Sequence, residues 1–375
     1  MAGIYIHIPF CKQACHYCNF HFSTSLKVKD KMLAAISDEL SLRALNLKDH
    51  LIETIYFGGG TPSLLGQADI DKILADVHSN FKVSAAAEVT LEANPDDLTK
   101  AKVKELSLSK INRLSIGVQA LDDVYLSKLN RSHNEIEAID SVRYATQYFD
   151  NITIDLIYGI PGLTLTGLKD AIDRIVALNV NHISCYALTV EKKTALEVLI
   201  ENKKYPPVDE SLASKHFYFL IKELKNRGFE HYEISNFCKP NFHSRHNTSY
   251  WVGKPYLGIG PSAHSFFGTK RFWNISNNAK YIKAIEQSKN CYEFEELTLR
   301  DLFNERLMLG LRMNEGVDLK RIRTEFGSSY IEHLYASTDA FLKNETLVLS
   351  NGFLRATDKG KFLIDGIASA LFLVD

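Results

Sequence analysis

The first half of the chain alternates short apolar runs with longer stretches whose apolar residues recur at helical spacing. The apolar runs, rich in Ile, Val and Tyr, predict six strands near residues 3–8, 52–57, 87–92, 113–118, 152–157 and 182–187. The stretches between them predict helices at 30–45, 69–78, 98–107, 135–148 and 168–178. Strands that alternate with helices are typical of a parallel sheet covered on its outer face. Six such units predict either an open barrel or a doubly wound sheet.

The polar residues at the strand ends favour the barrel. Glu92, Gln119 and Asp155 each lie at the end of a predicted strand or close to it. A cysteine-rich loop follows the first strand, and the glycine turn 58–62 follows the second. Parallel α/β barrels build their sites from residues at the carboxyl ends of their strands. The predicted fold class is therefore α/β, with a partial (β/α)6 barrel over residues 1–190.

Beyond residue 190 the strand–helix repeat fades. Residues 191–295 are predicted to extend the barrel, with an amphipathic helix at 210–227 followed by an aromatic-rich stretch. Residues 296–375 predict helices, a hairpin at Asn351-Gly352 and a final helix, an order that resembles a winged helix. Such domains often bind DNA, but residues 300–375 carry 10 Lys and Arg against 11 Asp and Glu. We therefore expect no nucleic-acid partner and interpret this part as a small packing or lid domain.

Composition limits the class of protein further. The 375 residues have a formal net charge of -1, so no overall basic surface suggests an anionic partner. No apolar run reaches the roughly 18 residues of a membrane-spanning helix. Six cysteines are too sparse for a disulfide scaffold, and a cysteine cluster from residue 11 leaves no room for a cleavable signal peptide before it. The sequence predicts a cytoplasmic protein with free thiols.

Three cysteines, Cys11, Cys15 and Cys18, lie within eight positions after the first strand. A disulfide would use only two of them and leave the third thiol over. A structural zinc site needs four ligands, and His21 would complete a Cys₃His set. An iron–sulfur cluster normally takes four thiolates, so three leave one iron open to another ligand. The spacing alone leaves zinc and iron–sulfur both open.

The CxxxCxxC pattern with Tyr17 before its last cysteine, joined to the Gly-Gly-Gly-Thr-Pro turn at 58–62, resembles the radical S-adenosylmethionine (radical SAM) superfamily. The resemblance implies a [4Fe-4S] cluster on Cys11, Cys15 and Cys18. It also implies that S-adenosylmethionine binds the fourth iron and that an electron from the cluster cleaves it to a 5′-deoxyadenosyl radical. An electron donor for the cluster is then expected.

Further segments, at 5–11, 92–95, 117–119, 130–131 and 154–161, resemble the oxygen-independent coproporphyrinogen III oxidase family. The likeness resumes at 258–265 and in the C-terminal domain. It implies S-adenosylmethionine contacts from both strand ends and loops, namely Tyr5, Tyr17, Gly59, Gly60, Thr61, Glu92, Gln119, Arg131 and Asp155. Ala187 and His264 are weaker candidates for the same pocket.

Two departures from the oxidase pattern point to another branch of that family. The oxidase resembles CxxxCxxCxC, whereas Asn19 and Phe20 follow the last cysteine here, and its long segment before the first strand has no counterpart in this sequence. The haem-chaperone (HemW-like) branch carries an HNxxYW motif, which matches residues 246–251. The resemblance implies a protein that binds haem and passes it to an acceptor protein, with membrane contact only through that acceptor.

Haem binding is expected at or near His246, with Tyr250 and Trp251 as stacking surfaces. Ligands that compete with His246 are close in sequence, namely Cys238, His243 and His264. Two other functions remain open at this point. One is an enzyme that oxidises a porphyrinogen or another tetrapyrrole, and the other is a zinc-stabilised binding module.

Overall fold

The computed structural model describes residues 1–374, which form fifteen strands and fifteen helices besides short 3₁₀ turns. The strands are β1 (Ala2–Ile8), β2 (Ile52–Gly59), β3 (Val83–Ala93), β4 (Arg113–Gln119), β5 (Ile152–Tyr158), β6 (His182–Ala187), β7 (Glu230–Glu233), β8 (Asn236–Cys238), β9 (Tyr256–Ile259), β10 (His264–Phe267), β11 (Lys270–Asn274), β12 (Tyr292–Glu296), β13 (Val317–Asp318), β14 (Leu347–Ser350) and β15 (Phe353–Ala356). The helices are α1 (Lys29–Leu42), α2 (Gln67–Asn80), α3 (Lys100–Leu106), α4 (Asp123–Lys128), α5 (Glu135–Ala145), α6 (Leu165–Val176), α7 (Ala195–Glu201), α8 (Glu210–Asn226), α9 (Arg245–Trp251), α10 (Asn278–Glu286), α11 (Leu299–Arg312), α12 (Leu319–Phe326), α13 (Ser328–Lys343), α14 (Asp358–Lys361) and α15 (Ile364–Ala370).

The six predicted strands are confirmed as the centre of a large sheet. Within residues 1–374 that sheet has twelve strands, in the order β12-β11-β10-β9-β1-β2-β3-β4-β5-β6-β8-β7. Strands β1 to β6 are parallel, and β9 adds a further parallel strand beside β1. Antiparallel strands extend both edges, β10 to β12 on one side and β8 with β7 on the other. The fold class predicted from the sequence is therefore confirmed.

The first strand shows why these residues form a covered sheet. Ile4, Ile6 and Ile8 are fully buried, whereas the alternate residues Tyr5 and His7 lie on the opposite face, because side chains alternate along a strand. The isoleucines belong to the main hydrophobic core with the covering helices. Tyr5 and His7 line a cavity at the concave side of the sheet. The polar residues of β1 thus lie on the concave side of the sheet, and its isoleucines lie in the apolar core on the convex side.

The sheet is curled into an open barrel. Burial raises the pKa of Tyr56 on β2 well above its ordinary value, and Glu92, Asp155 and Tyr186, on β3, β5 and β6, act on it through charge as well. In a flat sheet, four steps of about 4.8 Å would separate β2 from β6 by roughly 19 Å. Strands that far apart in order can share one electrostatic environment only because the sheet curves round on itself.

Helix α9 lies inside the curl, near the amino ends of the first three strands. The His246 backbone N–H donates to the Glu88 carboxylate on β3 (3.0 Å), and its ring bonds Thr54 Oγ1 on β2 (2.7 Å). A Cβ at Gly3 on β1 would lie 3.3 Å from the same ring. The helix that carries the HNxxYW sequence therefore forms the floor of the open barrel.

The C-terminal residues form a second hydrophobic core, which runs from Phe303 to Leu371. A three-stranded antiparallel sheet in the order β13-β15-β14 packs with the helices there. The predicted hairpin turns at Asn351 and Gly352, which have φ of 53° and 80°, the left-handed region such turns need. A C-terminal domain of helices with a small sheet is confirmed, while the boundaries at 190 and 295 stay a prediction. No helix among residues 1–374 is long and apolar enough to span a bilayer.

Candidate functional site

The cysteine loop leaves the carboxyl end of β1 and closes on itself. The Cys11 N–H donates to the Ser23 carbonyl (3.1 Å), and the Ser23 N–H donates to the Pro9 carbonyl (2.9 Å). The Thr61 N–H, from the turn after β2, donates to the Phe10 carbonyl (2.6 Å). The loop is thus closed at its base and fastened to the turn after β2, and Cys11, Cys15 and Cys18 remain partly exposed and unpaired.

The middle of the loop is held by the segment that follows α4. Asn130, in the left-handed region with φ of 56°, donates from Nδ2 to the Ala14 carbonyl (2.7 Å). Gln13 Nε2 donates to the Asn130 carbonyl (3.0 Å), and the His16 N–H donates to the Leu129 carbonyl (3.1 Å). These bonds fix the loop conformation without using any thiol, so the sulfurs stay available to a metal centre.

The three thiols are not gathered closely enough for one zinc ion to bind them all. Tetrahedral zinc with sulfur bonds of about 2.3 Å sets its ligand atoms roughly 3.8 Å apart. Within residues 1–374, the one set of three metal-ligand atoms closer than 4.8 Å to one another belongs to Glu230, Cys238 and His243, not to this loop. The fourth zinc ligand considered from the sequence, His21, instead bonds Asn278 Oδ1 through Nε2 (2.7 Å).

The electrostatics of the thiols also indicate that a metal must displace their protons. The pKa of Cys11 is raised to about 11, mainly by burial and also by the charges of the neighbouring cysteines. Burial likewise raises the pKa of Cys18. Arg131 lies beside them and donates from Nη1 to Cys15 Sγ (3.2 Å). The Arg131 charge opposes the effect of burial by lowering the pKa of Cys11 and of Cys18, which favours the thiolate form that metal binding requires.

The glycine turn after β2 permits close approach of its backbone to the loop. Gly59 has φ of 107°, and a Cβ there would lie 2.5 Å from His7 Nδ1. A Cβ at Gly60 would lie 2.5 Å from the Phe10 carbonyl oxygen. Thr61 is buried beside them, and its hydroxyl acts to lower the pKa of Cys11. The turn therefore has no room for side chains where it meets the first cysteine.

Two half-buried carboxylates lie below the turn at the barrel mouth. The Tyr56 hydroxyl donates to Glu92 Oε1 (2.8 Å), and burial raises the pKa of Glu92 to about 7. The Ser115 hydroxyl donates to Asp155 Oδ2 (3.2 Å), and burial raises the pKa of Asp155 to about 6. Groups with pKa values this far from normal, next to thiols in a cavity mouth, are typical of a cofactor site.

Arg131 connects the remaining residues of the mouth. Its Nη2 donates to Asn94 Oδ1 (2.7 Å) and to the Gly117 carbonyl (2.9 Å), and its Nη1 reaches the Tyr17 hydroxyl oxygen (3.5 Å). Gln119, with φ of 65°, ends β4 at the same edge, and Ala187 ends β6 there. The residues named by resemblance therefore meet at one end of the barrel, apart from His264 and His246. Their role as cofactor contacts stays a prediction.

Asn94 and Asn130 are structural supports that sequence reasoning did not single out. Both lie inside segments that resemble the oxidase family, directly beside Glu92 and Arg131. Their amide groups hold Arg131 and the cysteine loop. The available signal was an Asn next to a functional residue at a loop start, where such side chains commonly bond nearby backbone.

A cleft of about 830 Å³ opens between the barrel mouth and the C-terminal domain. Its size falls within the roughly 300–1,000 Å³ typical of small-molecule and cofactor sites. Tyr5 and His21 line it from the mouth, Tyr250 from α9, and Met308 and Phe326 from the C-terminal domain. Its wall is mainly aromatic and aliphatic, with Lys254, Arg271 and Arg306 as the cations and Glu305 and Glu325 as the carboxylates. The sequence did not indicate this cleft.

His246 lies beneath the cleft rather than in it. It is 1% exposed, its Nδ1 bonds Thr54 Oγ1 (2.7 Å), and its Nε2 bonds the Tyr250 hydroxyl (2.8 Å). Its ring stacks on Tyr56 at 4.9 Å between centroids. Burial, helped by the Arg113 charge, lowers its pKa to about 3, so the ring is neutral. Because both of its ring nitrogens are hydrogen-bonded, His246 can act on the cleft only through Tyr250, which lines it.

The other residues near the motif face elsewhere. The Trp251 ring lies under the Arg312 guanidinium at 5.4 Å. Cys238 and His243 lie beside Glu230, and neither lines the cleft. Of the competing haem ligands considered from the sequence, only His264 lines the cleft.

An open parallel barrel with three thiols, a glycine turn and half-buried carboxylates at one mouth defines the class of protein, a radical SAM fold. A profile of the Radical SAM superfamily matches residues 5–175, and one of the HemN C-terminal domain matches residues 297–363. The chain belongs to the radical SAM superfamily and, within the coproporphyrinogen oxidase family, to the HemW-like branch. That membership implies a [4Fe-4S] cluster and S-adenosylmethionine.

Curated relatives cover nearly the whole chain. A Bacillus subtilis protein named "Heme chaperone HemW" is 34% identical, over 97% of each chain. A zebrafish protein, "Radical S-adenosyl methionine domain-containing protein 1, mitochondrial" from Danio rerio, is 30% identical over 99% of this chain and 87% of its own. The solved structure of coproporphyrinogen III oxidase (HemN) from Escherichia coli superposes with a TM-score of 0.86 over 99% of this chain and 90% of its own, at 23% identity. This last likeness supports the fold.

Proposed function

We propose that this protein is a haem chaperone, which binds haem in the cleft and passes it to an acceptor protein. The full-length relatives named as haem chaperones support the class of function. The observation that carries the proposal is the cleft itself, which joins the cofactor mouth to the HNxxYW helix through Tyr5 and Tyr250. A flat apolar macrocycle packs well against aromatic rings.

Cys11, Cys15 and Cys18 would hold the [4Fe-4S] cluster, and the mouth residues would hold S-adenosylmethionine. Bound there, the cluster would supply one electron for cleavage of the sulfonium. The protein's own part is to bind and orient. The Gly59-Gly60 backbone lets the cofactor approach closely, and Glu92 offers it a carboxylate. Arg131 holds the cysteine loop and the Asn94 amide in place.

The HNxxYW helix acts through Tyr250. His246 bonds the Tyr250 hydroxyl from below and stacks on Tyr56, which itself bonds Glu92. A continuous chain of contacts thus runs from the cleft wall to the cofactor mouth. Replacing His246 with Ala would leave the buried Thr54 hydroxyl without its partner, a loss of about 1–3 kcal/mol, and would release the partly exposed Tyr250 hydroxyl. We expect weaker haem binding with the iron ligand unchanged.

The proposal is tested with anaerobically reconstituted protein. Haemin titration should reach one haem per chain, and incubation with coproporphyrinogen III, S-adenosylmethionine and dithionite should yield no protoporphyrinogen. The His246→Ala variant should bind haemin more weakly. The buried His216, which instead accepts from the Gly159 N–H (3.1 Å), provides a matched control when replaced with Ala. Turnover of the porphyrinogen, or failure to bind haem, would contradict the chaperone function.

The proposal includes a cytoplasmic location, an electron donor for the cluster and contact with membranes only through the acceptor. All six cysteines are unpaired, which suits a reducing compartment. Immunofluorescence or fractionation of the native cells, with the acceptor identified by crosslinking during haem transfer, would test these points.

A further inference from the structure

Three histidines line the cleft, and their ring nitrogens differ in how they are used. His7 bonds the Tyr5 hydroxyl through Nδ1 (3.3 Å) and the His21 carbonyl through Nε2 (2.8 Å). His21 bonds Asn278 Oδ1 through Nε2 (2.7 Å). His264 is exposed to the cleft, and neither of its ring nitrogens has a hydrogen-bond partner among the described residues. It is the one imidazole there with both nitrogens free.

The strand that carries His264 presents it next to an aromatic surface. His264 and Phe266 lie two residues apart on β10, so their side chains share the face that lines the cleft. Phe266 packs on Tyr256 (6.5 Å between centroids), and Tyr256 packs edge-on against Tyr250 (4.5 Å). One wall therefore offers a free imidazole at one end and a continuous row of three aromatic rings at the other.

The opposite wall offers a cation suited to an acidic ligand. Arg306, on α11, lines the cleft, and its buried Nε has no hydrogen-bond partner among residues 1–374. Its Nη1 donates to the Val252 carbonyl (3.1 Å), and its Nη2 lies 3.4 Å from Glu325. The Arg306 side chain is 20% exposed at the cleft wall, so its guanidinium can also bind a ligand that brings a carboxylate. Haem, with an apolar ring, an iron centre and two propionates, matches all three features.

We propose that His264 is the axial ligand of haem iron in this cleft, with the macrocycle on the Tyr250–Tyr256–Phe266 surface and a propionate at Arg306. This assignment rests on the proposed haem-chaperone function. Haem iron is commonly held by a neutral imidazole. Burial and the nearby Arg271 charge lower the pKa of His264, which keeps the imidazole in that form.

The sequence resemblance instead suggested His264 as a weak contact for S-adenosylmethionine, and the two roles are separable. Loss of a cofactor contact would weaken S-adenosylmethionine binding and leave haem unaffected. Loss of the iron ligand would change the haem spectrum, and added imidazole would restore it by entering the space that the side chain leaves.

The experiment compares reconstituted wild-type protein with His264→Ala, His264→Met and two control variants. His21→Ala removes a cleft histidine that is bonded to Asn278, and His243→Ala removes one outside the cleft. Haemin is titrated anaerobically, with difference spectra taken against the haem-free protein. Resonance Raman and EPR report the axial ligand, and S-adenosylmethionine affinity is measured in parallel.

His264→Ala should lose the histidine-ligated spectrum and regain it with added imidazole. Haem affinity should fall by about tenfold or more, since loss of even an outer-shell partner changes metal affinity by roughly 10–100-fold. His264→Met should raise the haem potential, because a thioether ligand does so. Both control variants should keep the wild-type spectrum. An unchanged spectrum in His264→Ala, or a loss seen only in His21→Ala, would overturn the assignment, whereas wild-type protein that binds no haem would overturn the proposed function itself.

Discussion

The Gly60→Ala substitution tests how tightly the glycine turn fits the cysteine loop. The added Cβ would lie 2.5 Å from the Phe10 carbonyl oxygen, 2.8 Å from the Phe10 nitrogen and 2.9 Å from the Ile8 carbonyl oxygen. Ordinary contact begins at 3.4 Å, so the nearest atom must move by almost 1 Å. All three obstacles are backbone atoms, at the last residue of β1 and at Phe10 in the loop that follows it, so none can rotate away as a side chain could.

The cost can be estimated from that overlap. Overpacking a tight site destabilises by about 1–3 kcal/mol. With an unfolding entropy of about 2.1 cal/mol/K per residue, a chain of 375 residues loses roughly 1.3 °C per kcal/mol, so the melting temperature should fall by about 1–4 °C. The same shift breaks the bond from the Gly60 N–H to the Ile8 carbonyl (2.9 Å) and moves Phe10, which directly precedes Cys11. We therefore expect iron and sulfide content to fall together with stability.

The measurements are calorimetry on the cluster-free protein and iron and sulfide analysis after anaerobic reconstitution. Gly366→Ala is the matched control, because a Cβ there meets nothing within 4 Å and the residue lies inside helix α15. The control should keep its iron and melt at or slightly above the wild-type temperature, since Ala favours a helix over Gly. Equal melting temperature and iron content in Gly60→Ala and wild type would refute the tight fit.

Three further predictions concern the mouth. The Cys15→Ala variant should lose most of the cluster iron, whereas Cys291→Ala, which changes a buried cysteine, should keep it. An unchanged iron content in Cys15→Ala would count against the ligand assignment. Arg131→Lys should lower S-adenosylmethionine affinity roughly 10–100-fold, as expected for an outer-shell group, because one ammonium cannot donate to Asn94, the Gly117 carbonyl and Cys15 together. With a pKa of about 7, Glu92 is mostly protonated in more acidic solution. The affinity for S-adenosylmethionine, measured by calorimetry, should therefore rise about tenfold per pH unit up to pH 7 and then level off. A profile as steep in Glu92→Gln would assign the titration to another group.

The mouth of the barrel follows from local sequence signals. Short apolar runs predicted each strand of β1 to β6, and polar residues at strand ends predicted a shared edge, because parallel strands end on one side. The thiol spacing limited the metal to zinc or iron–sulfur, and the resemblance favoured iron–sulfur. Helix α9 illustrates where this reasoning stops. His246 and Tyr250 are four residues apart on one helix face, yet one is buried and the other lines the cleft.

The sequence alone determined the strands, the loop that carries the thiols and the family to which the chain belongs, since each depends on residues close together in the chain. Only the tertiary structure decided the cleft and the role of each histidine. β9 pairs with β1 across about 250 residues, and α11 closes the cleft opposite β10. Which ring nitrogen is free depends on partners such as Asn278 and Thr54, far away in sequence, and packing between distant segments leaves no local pattern from which it could be inferred.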